Sequence, residues 1–311
     1  MDNLEKEILR LKKEKNAVIL GHYYQTLDIQ LIADFAGDSF DLSKRAKNAS
    51  ENLIVFCGVS FMAESAKLLS PHKKVLLPNA DAGCPMADMV TPEIVREMRA
   101  ANPNAAVVCY VNSSAETKAE CDICCTSSNA VNIVKKLDAQ EIIFVPDKNL
   151  GAYVAQFVPD KRFVFMDGYC PIHHFITVEE AQAKLREFPG AKFAAHPECD
   201  PAVAALADFV GSTSQILSYC ETSESGEYII GTEYAIAERL RHYRPERRYH
   251  ILTPALVCPN MKKTTMQDLY NCLANENENG NGNGNGKNVI ELPGALIAAA
   301  NKPLEKMLEL G

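Results

Sequence analysis

Tryptophan is missing from the 311-residue chain, and so is any excess of positive charge: 32 Lys and Arg face 40 Asp and Glu, a net charge of −8. Nucleic-acid affinity rests largely on Lys and Arg neutralising phosphates, so this balance excludes nucleic acid as an expected partner. No stretch approaches the roughly 20 uncharged apolar residues that span a bilayer, and no membrane partner is expected. The opening segment MDNLEKEILRLKKEK sets Leu4, Ile8 and Leu11 at helical spacing among charges, where a secretory signal would need an apolar run. Eleven cysteines, an odd number without a signal, fit a reducing cytoplasm rather than a disulfide scaffold. A Walker loop, a G-x-G-x-x-G after a strand and a nucleophile elbow are all absent, which disfavours NTPase, dehydrogenase and α/β-hydrolase chemistry.

The chain does contain a repeat. Cys-Pro dipeptides stand at Cys84, Cys170 and Cys258, spaced by 86 and 88 residues. Ala33-Asp34-Phe35-Ala36-Gly37-Asp38-Ser39 matches Ala207-Asp208-Phe209-Val210-Gly211-Ser212-Thr213 at an offset of 174, which also separates His22 from His196 and Cys84 from Cys258. Tyr110 and Ser127 fill the corresponding places between them, each 88 residues after its counterpart. One offset shared by unrelated patterns implies three copies of one unit.

Within each copy, short apolar runs alternate with helical patterns, beginning at Ala17–Leu20, Ala106–Cys109 and Phe193–Ala195. That alternation predicts parallel sheets covered on both faces, hence three homologous α/β/α sandwiches arranged about a pseudo-threefold axis with the site at the centre. The expected domains are 1–85 together with 260–311, then 86–171, then 172–259. The tail Pro293–Leu310 is helical in pattern and is expected to dock on the first copy beside the N-terminal helix. The tract Asn275–Asn288, NENENGNGNGNGKN, is polar and glycine-rich and is expected to be a mobile loop.

Ligands bind outside the carboxyl ends of parallel strands, where the repeated polar residues fall. Three thiols without a fourth equivalent suit a [4Fe-4S] cluster with one open iron, able to act as a Lewis acid in dehydration. A Cys₃ zinc site is the metal alternative. Ser39, Ser127 and Thr213 precede helical patterns, where hydroxyls and free N–H groups can hold an anion. His196 and Glu198 share one strand-end loop and could move protons, while Tyr24 and Tyr110 could polarise a carbonyl. The C-x-x-C at Cys121 and Cys124 has no second half and is read mainly as core, with a redox role left open; Cys57, Cys109, Cys199, Cys220 and Cys272 are read as structural.

These motifs resemble one family closely, the quinolinate synthases. GHYYQ at Gly21–Gln25, ADFAGDS at Ala33–Ser39, NADAGCPMADM at Asn79–Met89, YVNSSAE at Tyr110–Glu116, CTSSNA at Cys125–Ala130, FMDGYCPIH at Phe165–His173, AHPEC at Ala195–Cys199, GSTSQI at Gly211–Ile216 and CPNMKKT at Cys258–Thr264 carry the resemblance over nearly the whole chain. It implies one [4Fe-4S] cluster per chain on Cys84, Cys170 and Cys258. It also implies condensation of iminoaspartate with dihydroxyacetone phosphate to quinolinate, releasing phosphate and water, in NAD biosynthesis. The implied substrate-binding residues are His22, Asp38, Ser39, Tyr110, Val111, Asn112, Ser127, His196, Pro197, Glu198, Ser212 and Thr213, with Tyr24, Tyr110, His196 and Glu198 catalytic. An aspartate oxidase or dehydrogenase is the implied metabolic neighbour. A generic iron-sulfur hydro-lyase and a non-enzymatic iron or oxygen sensor are the alternatives.

Overall fold

A computed structural model describes residues 3–275 and 288–311. It contains three four-stranded sheets, and every pairing within them is parallel. The first comprises β1 Ala17–His22, β2 Phe35–Gly37, β3 Leu53–Cys57 and β4 Lys74–Leu76. The second comprises β5 Ala106–Tyr110, β6 Ile123–Cys125, β7 Glu141–Val145 and β8 Arg162–Phe165. The third comprises β9 Lys192–Ala195, β10 Phe209–Val210, β11 Glu227–Gly231 and β12 Arg248–Ile251. All three sheets run in the order second, first, third, fourth strand.

The repeat inferred from sequence offsets extends to strand register. Gly21 pairs with Ala36, and Cys109 with Cys124, and Ala195 with Val210. The central strands are buried along nearly their whole length, with Ala17–His22 and Leu53–Cys57 buried throughout. This is why their sequences read as continuous apolar runs instead of alternating ones. The edge strands β2, β6 and β10 have only three, three and two residues, which leaves little unpaired backbone.

An aspartate before each second strand reinforces this plan. Asp34, Asp122 and Asp208 accept the backbone N–H of Ile19, Val107 and Phe193 at 2.8, 2.7 and 2.9 Å. The aspartate of the A-D-F-x-G motif is therefore a structural clamp, present in the second copy as well.

One expectation fails. The helix Gly294–Leu310 packs on the second copy, against the helix Ala115–Ala119 and β6, and on the helix Ser60–Leu69 of the first. Its Ala300, Leu304 and Met307 complete a core continuous across those two copies. The place beside the N-terminal helix Asn3–Glu14 belongs to the helix Met266–Ala274, whose Leu269, Cys272 and Leu273 pack with Ile8 and Leu11. A helix with so many small and branched apolar residues fills a seam between two copies better than it covers one face. The expected mobile loop at Asn275–Asn288 falls, in residues 276–287, outside the described residues. No described helix is long and apolar enough to cross a membrane.

Candidate active site

In a sheet of order 2-1-3-4 the chain leaves in opposite directions from the first and third strands, opening a crevice at their carboxyl ends. Here the three crevices face one another. A cavity of about 210 Å³ is lined by residues from all three copies. His22, Tyr24, Asp38, Ser39, Cys84, Tyr110, Asn112, Ser127, Cys170, His196, Glu198, Thr213 and Cys258 line it. Val111, Pro197 and Ser212 do not.

Asp38 and Ser212 sit at equivalent positions as helix N-caps. Asp38 accepts from the N–H of Phe40 and Asp41, and Ser212 from that of Gln215. The Ser212 hydroxyl reaches Asp38 Oδ2 at 3.4 Å, clipping the first copy to the third. Ser39 and Thr213 are consequently the first residues of two helices that begin at the cavity wall. Among the described lining residues there is no Lys or Arg, so an anion here would be held by hydroxyls, N–H groups and helix starts.

The two repeat-related histidines are held in one tautomer. His22 Nδ1 accepts the N–H of Tyr24 at 3.1 Å, and His196 Nδ1 accepts that of Glu198 at 3.3 Å. A ring nitrogen that accepts cannot carry the proton, so Nε2–H is left as the donor. Burial pushes the pKa of each imidazole down to about 3; the neighbouring His196 and Lys262 add to this at His22, and Glu198 partly opposes it at both. Both are neutral donors at neutral pH.

Glu198 terminates a directed hydrogen-bond chain. Tyr110 Oη donates to Glu198 Oε1 at 2.7 Å, and His173 Nδ1 lies 2.8 Å from Oε2. Behind His173, Nε2 meets Thr232 Oγ1 at 3.0 Å, Thr232 meets Tyr24 Oη at 2.8 Å, and Thr213 Oγ1 donates to Tyr24 Oη at 3.1 Å. An ionised carboxylate only accepts, so it orients the chain toward itself. Burial opposes the Glu198 charge, but His196, His173 and the Tyr110 hydroxyl outweigh it and hold the carboxyl below its usual range. Burial and the Glu198 charge together raise Tyr24 and Tyr110 well above the usual tyrosine value, so both remain protonated.

Each of the three lining thiols begins a helical turn. Cys84 caps Pro85–Asp88 and Cys170 caps Pro171–His174, with proline at the first helical position, where its missing N–H costs nothing. Backbone N–H groups of the following turn favour each thiolate: those of Ala87 and Met86 at Cys84, that of His173 at Cys170, and those of Met261 and Asn260 at Cys258. Burial drives all three thiols up, Cys84 to about 12, so a cation is needed to hold them as thiolates. Cys170, His173 and Glu198 form a second donor set, with ligand atoms within 4.8 Å of one another.

The remaining cysteines lie elsewhere. Cys57, Cys109, Cys121, Cys124, Cys125, Cys199, Cys220 and Cys272 are buried and unbridged. Hydrogen bonds from Cys121 and Cys124, aided by the buried Lys118, hold the Cys109 thiol low. His173, Thr232, Asp147, Glu233 and Lys262 were not singled out by sequence reasoning, although the C-x-x-H spacing of Cys170 and His173 was a usable signal.

The family described as "Quinolinate synthetase A protein" matches residues 6–309. The chain belongs to the quinolinate synthetase A family. A relative named quinolinate synthase from Caldicellulosiruptor bescii is 48% identical over 308 residues, covering 99% of this chain and 98% of that one. Others of that name, from Alkaliphilus metalliredigens and Geobacter metallireducens, are 52% and 48% identical over 88% and 99% of this chain and 90% and 98% of their own. Membership of the quinolinate synthetase A family thus extends over nearly the full chain.

Proposed function

We propose that this chain is a quinolinate synthase, a cytoplasmic transferase of NAD biosynthesis that condenses iminoaspartate with dihydroxyacetone phosphate and releases phosphate and water. The observation that carries the reading is one cavity in which three thiols face hydroxyls, neutral imidazoles and the buried carboxyl groups of Asp38, Glu198 and Glu233. Cys84, Cys170 and Cys258 would hold a [4Fe-4S] cluster, one per chain; their N–H-solvated sulfurs suit thiolate ligation. With three thiol ligands such a cluster leaves one iron open and supplies Lewis acidity for dehydration.

The chain's own residues supply the rest. Ser39, Ser127 and Thr213 bind substrate anions with the Nε2–H groups of His22 and His196. Asn112 Oδ1 is buried without a hydrogen-bond partner and lines the cavity, ready to accept an N–H from the iminoaspartate nitrogen. Glu198 accepts a proton, and Tyr110 or Tyr24 returns one to oxygen. An aspartate oxidase or dehydrogenase supplies the unstable imine.

Anaerobic enzyme, given freshly generated iminoaspartate and dihydroxyacetone phosphate, should form quinolinate and phosphate together. Turnover of a hydroxy acid alone would instead assign a hydro-lyase. An intact cluster without either product would end the synthase reading.

A further inference from the structure

We propose that Asp147 and Glu233, equivalent residues of the second and third copies, are positioning residues that fix the thiols of Cys170 and Cys258, and that the first copy lacks this device. Each lies two residues beyond the third strand of its copy, past Val145 and Gly231, and each is fully buried. One carboxylate oxygen serves the next helix. Asp147 Oδ1 accepts from Leu150 N at 2.7 Å, and Glu233 Oε2 from Ala235 N at 2.8 Å. The other oxygen accepts the cysteine's own N–H, from Cys170 to Asp147 Oδ2 at 3.0 Å and from Cys258 to Glu233 Oε1 at 3.2 Å.

Helix capping alone does not require this arrangement. Thr91 and Ser114 cap their helices with one oxygen and remain half-buried. A buried carboxyl group is costly unless its oxygens are bonded, and here both oxygens are. The cysteine's backbone N–H is then fixed by the carboxylate, one bond away from the Cα that carries the thiol. The close approach is built into the loop as well. Lys148 N donates to Gly168 O at 2.8 Å and Tyr234 N to Leu256 O at 2.7 Å, and in the second copy a Cβ on Gly168 would overlap the Pro146 carbonyl oxygen.

The third copy adds a cation. Lys262 Nζ lies 2.9 Å from Glu233 Oε1 and donates to Tyr24 O at 2.6 Å, joining the Cys258 turn to the Tyr24 loop. In the first copy Val59 holds the corresponding position and offers no side-chain acceptor, while the backbone bond from Ser60 N to Ala82 O at 2.8 Å is the counterpart of Lys148 N to Gly168 O in the second copy and Tyr234 N to Leu256 O in the third. Cys84 is thus placed by backbone alone and serves as an internal control.

The iron arm of the test rests on the cluster reading above; the thiol arm does not. Asparagine caps helices as well as aspartate but offers one oxygen, so Asp147→Asn separates capping from cysteine positioning. In anaerobic holoprotein, Asp147→Asn and Glu233→Gln should release iron to a chelator roughly tenfold faster, as expected when a backbone N–H loses its acceptor. In the metal-free full chain, competitive alkylation read by peptide mass spectrometry should show Cys170 gaining reactivity relative to Cys84 in Asp147→Asn, and Cys258 in Glu233→Gln. Asp147→Glu, with two oxygens again, should return the ratio toward wild type. Unchanged alkylation ratios in folded variants, or an equal rise at all three cysteines, would overturn the proposal. Wild-type protein without iron would remove the cluster reading alone, and the alkylation ratios would still decide this one.

Discussion

Tyr110 donates its hydroxyl proton to Glu198 across 2.7 Å, joining the end of β5 in the second copy to the strand-end loop of the third. Tyr110→Phe keeps the ring and removes that donor. Losing one hydrogen bond to a charged group costs about 1.5 to 3 kcal/mol. Quinolinate formation should therefore fall roughly 10- to 150-fold while iron content stays at the wild-type level. Glu198→Gln should be more severe, since Tyr110 and His173 meet different carboxylate oxygens and the amide turns one of these into an NH₂ donor. Wild-type rates in Tyr110→Phe would show that this bond has no part in turnover.

The shared tautomer of His22 and His196 makes stability depend on pH. Burial depresses both from 6.5 to about 3, so on acidification the unfolded chain takes up protons that the folded chain refuses. The contribution of each is complete above pH 6.5 and is lost as pH falls toward 3, by about 2 kcal/mol at pH 5. His22→Asn supplies a side-chain oxygen for the same N–H and does not titrate. In urea unfolding of metal-free protein, the stability gap between wild type and His22→Asn should shift by about 2 kcal/mol against wild type between pH 7 and pH 5. A constant gap would mean that His22 takes up its proton equally in the folded and the unfolded chain.

What could be read from sequence was whatever each copy repeats. Strand runs such as Ala17–Leu20 and Glu141–Val145 are continuous because both sheet faces are covered, and the 174-residue offset between His22 and His196 survives because both occupy the same strand-end turn. Contacts that cross between copies were not legible. Thr232 bridges Tyr24 of the first copy to His173 near the second thiol, and no spacing within one copy encodes that. Asp147 and Glu233 carried a weak signal, an acid two residues past the third strand, which Val59 breaks in the first copy. The helix Gly294–Leu310 was correctly periodic, but periodicity says which face is apolar and not which neighbour it meets.

The repeated aspartates give a test confined to folding. Asp122 accepts the N–H of the fully buried Val107 at 2.7 Å and pairs with Arg99 at 3.1 Å. Asp122→Ala strands the buried donor and should cost about 1 to 3 kcal/mol in denaturant unfolding. Asp122→Asn retains an acceptor and loses only the exposed ion pair, worth about 0 to 1 kcal/mol. Equal losses in the two variants would assign the stability to the ion pair instead.

Eleven thiols share the chain, and the geometry separates three of them. Cys84, Cys170 and Cys258 line the cavity, whereas Cys57 and Cys272 pack in the apolar layer with Ile8 and Leu273, and Cys121 and Cys124 pack in the core of the second copy. Anaerobic protein should contain about four irons and four sulfides per chain, as a cubane requires. Cys84→Ser, Cys170→Ser and Cys258→Ser should each abolish that content, because a three-ligand cluster has no spare thiolate nearby to substitute. Cys57→Ser, Cys272→Ser, Cys121→Ser and Cys124→Ser should retain it and register only as lower unfolding midpoints, since each buries a hydroxyl where a thiol packed. Iron and acid-labile sulfide analysis of the seven variants decides the matter. A chain that keeps its iron without Cys84 but loses it without Cys121 or Cys124 would place the cluster in the second copy's core and not at the meeting point of the three strand ends.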